Sequence, residues 1–138
     1  MNVENQIQKQ RENKMSSKID TNERTFTADG AIGMHELVKV TATGCDVCGI
    51  DEHAIGTAVN PAFAAGDAIA VKLRSGSGTH KVVASAALAQ GADAFTAASG
   101  KVGASASTSF RIGVLLEASS ADGDVVEMVF INDGTAVA

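Results

Sequence analysis

Tryptophan and tyrosine are absent from this 138-residue chain, proline occurs once, and the aromatic side chains amount to 5 Phe. Large apolar anchors are therefore scarce, and a core has to be assembled from Val, Ile, Leu and 24 Ala. At roughly 25 cal/mol per Å² of buried apolar surface, such a core stabilises less per residue than an aromatic one. That favours an oligomer, or a chain that leans on a larger assembly. The 2 cysteines are too few for a disulfide framework and fit synthesis in a reducing compartment. No apolar run approaches the roughly 20 residues that cross a bilayer as a helix, and the opening MNVENQIQKQRENK holds no hydrophobic segment of the secretory type. With 11 Lys+Arg against 16 Asp+Glu, the net charge of −5 opposes phosphate-backbone binding as the main role. The expectation is a mildly acidic, soluble protein made in the cytoplasm, with neither nucleic acid nor membrane as partner.

Residues 1–24 differ from the remainder. They contain no Gly, Pro or aromatic residue and carry a net charge of +1 against −6 for the rest. Val3, Ile7, Met15 and Ile19 are too sparse to bury a helix face. The segment reads either as a tail or as an arm that orders on a neighbouring subunit. Residues 25–138 read as a single β-rich domain. Short apolar runs there alternate with turn chemistry, giving candidate strands at Glu36–Ala42, Ala54–Val59, Ala68–Arg74, Thr79–Ala84, Phe110–Glu117 and Asp124–Ile131. Ile69, Val71 and Leu73 alternate with Ala70, Lys72 and Arg74, the period of a half-buried strand. Gly76-Ser77-Gly78 reads as a hairpin loop between two of these strands. Asp124–Ile131 is apolar on both faces, which predicts burial on both sides, either by a barrel and its cap or by another subunit. The Ala-rich stretch Ser85–Ala98 predicts a short helix or a tight connection.

An internal repeat is present. Residues 55–71 align without gaps on residues 112–128, sharing Ile55-Gly56 with Ile112-Gly113, Ala64 with Ala121, and Gly66-Asp67 with Gly123-Asp124. Two hairpins built on common turn chemistry would give this pattern, and so would a pseudo-symmetric small β-barrel. The fold class read from the chain is mainly β: a small barrel-like or sandwich domain with short helical turns and an extended N-terminal arm.

Candidate chemistry is thin. Cys45 and Cys48 form a Cys-x-x-Cys, half of a zinc or redox site, but His35, His53 and His80 lack the spacing of further ligands. Packing cysteines are the simpler reading. Asp51-Glu52-His53 places two carboxylates beside an imidazole, yet neighbours on a strand point to opposite faces and solvated surface accounts for them. Ser105-Ala106-Ser107-Thr108-Ser109 reads as a loop with no nucleophile elbow, and Gly76-Ser77-Gly78 lacks the third Gly of a dinucleotide site. No catalytic, cofactor-binding or metal-ligating residue is assigned, and an enzyme is not expected.

The order Ile55-Gly56-x-Ala58, Ala64-Ala65-Gly66-Asp67-x-Ile69-x-Val71, Lys81-Val82-Val83-Ala84, Ala89-x-Gly91, Ser99-Gly100-Lys101-Val102 and Ile112-Gly113-x-Leu115-Leu116-Glu117-Ala118 resembles the small bacteriophage capsid cement, or head decoration, proteins. The second Gly-Asp unit, Ala121-Asp122-Gly123-Asp124-x-Val126-Glu127-x-x-Phe130, continues the likeness, which spans residues 35–131. The resemblance implies a structural virion protein on the capsid exterior, with the major capsid protein of a phage head as partner. It also implies a homotrimer that braces the shell. The other reading is a small non-enzymatic β-barrel binding module, zinc-stabilised through Cys45 and Cys48.

Overall fold

The computed structural model describes Ile19, residues 21–131 and residues 136–137. Among the described residues, Glu23–Thr27 (β1), Leu37–Thr41 (β2), Gly44–Val47 (β3), Gly56–Ala58 (β4) and Ala68–Leu73 (β5) form one antiparallel sheet in the order β1-β5-β4-β2-β3. His80–Val83 (β6), Asp93–Thr96 (β7), Val102–Gly103 (β8), Arg111–Leu115 (β9) and Val125–Phe130 (β10) form a second in the order β6-β10-β9-β7-β8. The second order is the first moved on by five strands, so the chain is a tandem duplication. Each sheet curls until its two edge strands touch through one parallel bridge, Ala28 to Cys45 and Ala84 to Val102. The result is a pair of half-barrels, mainly β as the sequence predicts.

The repeat extends far beyond the aligned segment. Phe26 pairs with Ile69 as Val82 pairs with Val126, and the Ile32–Ala62 bridge recurs as Leu88–Ser119. One extra residue separates the copies, because four residues lie between Val40 and Cys45 but five between their counterparts Thr96 and Val102. The shared Ile-Gly has a packing cause. A Cβ on Gly56 would lie 2.0 Å from the Lys72 carbonyl oxygen, and one on Gly113 2.3 Å from that of Val129. The shared Gly-Asp has another. Gly66 and Gly123 sit at φ 95° and 97°, which Gly adopts without a steric cost. The aspartate after each accepts two backbone N–H groups, those of Phe63 and Ala64 (2.9 and 3.2 Å) and of Ser120 and Ala121 (2.7 and 3.1 Å).

Each half has its own core. Val38, Cys45, Ala58, Ile69 and Val71 fill the first, and their counterparts Ala94, Val102, Leu115, Val126 and Met128 fill the second. The second core also takes Leu37, Cys48 and Ala54 from the first half, so one copy closes over the other. Polar contacts fasten this junction: Thr96 Oγ1 donates to the Ile50 carbonyl (2.5 Å), and the Gly100 N–H donates to that of Cys48 (2.9 Å).

All six candidate strands are present, trimmed at their ends, but several expectations are corrected. Gly76-Ser77-Gly78 is not a hairpin loop. Strand β5 already pairs with β1 and β4, so its edges are occupied and the chain crosses to the other sheet, where β6 pairs with β10. The Ser85–Ala98 stretch holds no α-helix: it contains β7 and ends where the 3₁₀ turn Ala98–Gly100 begins, the one helical turn among the described residues. Ladder pairing of Asp93 and Ala94 with β9 outweighs the helix preference of alanine. Within one chain, strand β10 buries Val126 and Met128, whereas Val125 on its other face is 46% exposed, which leaves that face to the second alternative for its cover, another subunit. Asp51-Glu52-His53 lies in a turn rather than on a strand. Strand β1 begins at Glu23, inside the segment read as an arm, and the rest of that reading falls outside the described residues, Ile19, Thr21 and Asn22 excepted.

Candidate interaction surfaces

Cys45 and Cys48 are both fully buried, but in different cores, Cys45 in that of the first half and Cys48 in that of the second. The two thiols thus serve packing on opposite sides of a strand end. Burial first, and the nearby Glu52 carboxylate second, push the Cys48 thiol up to about 12, so it stays protonated. Burial likewise raises Cys45. Among the described residues no group of three or more His, Cys, Asp and Glu is placed to hold a metal ion. The two sulfurs of the Cys-x-x-Cys are thus divided between separate packing clusters.

The remaining candidates have structural partners. Glu52 pairs with Lys39 and accepts the Gly49 N–H (2.9 Å), while the His53 ring lies 4.1 Å from that of Phe110. Ser109, buried in its loop, donates its hydroxyl to the Ala106 carbonyl (2.7 Å). His35 and His80 share a shallow depression of about 230 Å³ with Lys72 and Lys81 between the two sheets. Burial lowers both imidazoles, helped by Lys81 at His35 and by Lys72 at His80. His80 Nε2 meets the Leu73 carbonyl at 3.2 Å, and its ring stands edge-on to Phe130 at 4.5 Å.

What the described surface does offer is apolar side chains in water. Phe63 is 82% exposed, followed by Val40 at 54% and Met34 at 48%. Phe63 stands on the Gly-Asp turn of the first half, beside the Ile32–Ala62 bridge that ties two loops together. Reading the sequence alone missed it. The signal was available in the repeat, where Phe63 aligns with Ser120.

The duplicated half-barrels, the buried thiols and a surface that offers apolar contacts describe a building block. Residues 17–130 match the family described as phage cement protein. The chain belongs to that family. It is a phage structural protein, as the resemblance implied, and the match begins well before the start of residues 35–131, taking in β1, and ends one residue short of its other limit. No curated protein matches its sequence. Among solved structures it is similar to the head fiber gp8.5 N base of bacteriophage phi29, with a TM-score of 0.66 and 16% identity, covering 82% of this chain and 96% of that one. At that identity the likeness speaks for the fold of the cement protein: two curled sheets are an architecture that another phage protein also uses.

Proposed function

We propose that this cement protein binds the outer surface of an assembled phage head and stabilises the shell, seated as a homotrimer on the major capsid protein. The family match over residues 17–130 carries the reading. The phi29 neighbour, the base of a head fiber, supports a place on the head. The physical character of the chain agrees. Its thiols are locked in cores, and its Gly-Asp carboxylates are spent on turns. Val125 and Phe63 need apolar company that the described residues do not provide. The protein acts by contact and not by chemistry.

The test is to isolate virus particles and measure its copy number, then add purified protein to heads assembled without it. Stoichiometric occupancy of the exterior and a higher temperature of head disruption are expected. Absence from particles would reject the reading. Light scattering, with imaging of the decorated head, checks the trimer; a monomer in both settings rejects that part alone.

The segment before β1 is proposed as the arm of this assembly. Ordering each residue costs about 1–2 kcal/mol of backbone entropy, which contacts on the head would have to exceed. Removing residues 2–18 is expected to leave the melting temperature unchanged and weaken head attachment at least tenfold, about 1.4 kcal/mol. Unaltered affinity would make the segment a dispensable tail.

A further inference from the structure

The duplication supplies an internal control for deciding which surface residues the fold requires. The turn after β4 and the turn after β9 are the same device. Asn60 Oδ1 accepts the Ala70 N–H (2.8 Å) where Glu117 Oε1 accepts that of Glu127 (2.9 Å). Asp67 and Asp124 each hold two N–H groups, and Gly66 and Gly123 donate to the Ala28 and Ala84 carbonyls at 2.9 and 2.8 Å. With the scaffold equal, the tip residue is free to vary. In the second copy it is Ser120, an ordinary exposed residue; in the first it is Phe63, at 82% the most exposed large hydrophobic among the described residues. The same contrast recurs on the loop bridged to it, where Met34, 48% exposed, stands opposite Gln90 in the second copy.

We propose that Phe63 is the anchor by which this protein docks on a phage head subunit, its ring inserting into an apolar pocket of that subunit. The proposal rests on the reading of the protein as a head-binding cement. Three observations favour it. The turn does not need the ring, since the second copy closes the same hydrogen bonds with serine. The backbone under the ring is pinned before binding: Pro61 fixes one φ, Asp67 holds the Phe63 N–H, and Ala62 exchanges two hydrogen bonds with Ile32 (2.8 and 2.9 Å). A pre-ordered aromatic loses little entropy on contact, the property of interface hot spots. Finally, residues 59–66, VNPAFAAG, carry no charge, so the surroundings of the ring suit an apolar pocket rather than a charged patch.

The experiment compares wild type, Phe63→Ser, Phe63→Leu and the reciprocal Ser120→Phe in sedimentation with heads assembled without the protein, alongside melting temperature and mass in solution. Phe63→Ser is expected to fold and assemble as wild type does while binding heads at least tenfold more weakly. Phe63→Leu should retain most of the affinity, and Ser120→Phe should not raise it. Wild-type-like binding by Phe63→Ser would overturn the proposal. So would a changed mass, which would assign the ring to a contact between copies, or a lowered melting temperature, which would assign it to the fold. If wild type itself leaves heads unbound, the cement reading fails first and this anchor with it.

Discussion

At the residue scale, burial sets the chemistry of the few reactive side chains. Cys48, pushed up to about 12, presents no thiolate near neutral pH, and thiolate is the attacking species. A thiol reagent at about pH 8 is therefore expected to leave both cysteines of the native protein unmodified and to label both after unfolding; rapid labelling of the native state would contradict the packing shown by Cys45 and Cys48. Because the folded thiols titrate above the unfolded ones, their contribution is intact below about pH 8.5 and is lost as pH rises beyond it. The histidines act at the other end. His35 and His80 are held neutral by burial and by Lys81 and Lys72, so the unfolded chain takes up protons that the native state refuses. Stability is expected to fall as pH drops below about 6.5, the ordinary imidazole value. Melting curves at about pH 7.5 and 5.5 check this window, which lies above the range where the lowered carboxylates Asp29 and Glu52 titrate. His80→Gln should shrink the difference between the two curves, and an unchanged difference would acquit His80.

At the scale of elements, what was legible in the sequence is what is local. Ile69, Val71 and Leu73 announce β5 by alternation, and Gly66-Asp67 and Gly123-Asp124 announce the turns that precede β5 and β10. Strands β1, β3, β7 and β8 were not legible. β1 lies at a sheet edge with four of its five residues exposed, β3 begins with a glycine after a Thr-rich turn, and β8 has 2 residues. Their pairing is long-range, and neither periodicity nor propensity encodes a partner nearly fifty residues away, as Glu23 has in Lys72. The turns also carry a prediction. Asp67→Ala and Asp124→Ala each remove a carboxylate holding two N–H groups and should each cost about 1–2 kcal/mol. The turns share no partner, so the double variant should cost the sum. Chemical denaturation of the three variants measures it, and a large loss at one site with none at the other would break the equivalence of the copies.

At the scale of the whole molecule, the copies are equal in topology and unequal in outer surface. The repeat already set Phe63 opposite Ser120, but the candidate docking residue became legible only with its exposure, because an exposed phenylalanine and a buried one look alike in a sequence. The same inequality governs the junction. Leu37, Cys48 and Ala54 complete the core of the second half, but the counterpart of Leu37 is the exposed Asp93, paired with Arg111 at 2.9 Å. The first copy thus presents an apolar face to its neighbour, and the second ends the array with a polar one, as terminal repeats do. Exchanging these two characters tests the idea. Leu37→Asp places a carboxylate without a charged partner among Val82, Ile112 and Met128, and should cost more than about 4 kcal/mol, a large share of the 5–15 kcal/mol typical of a domain. Asp93→Leu removes an exposed ion pair and should change stability by about 1 kcal/mol or less. Because the junction belongs to the second core, both sheets should unfold together in a single transition in wild type, seen as coincident calorimetric and circular dichroism curves. Two separated transitions in wild type, or a Leu37→Asp protein as stable as Asp93→Leu, would mean that the halves stand independently and that the shared core does not unite them.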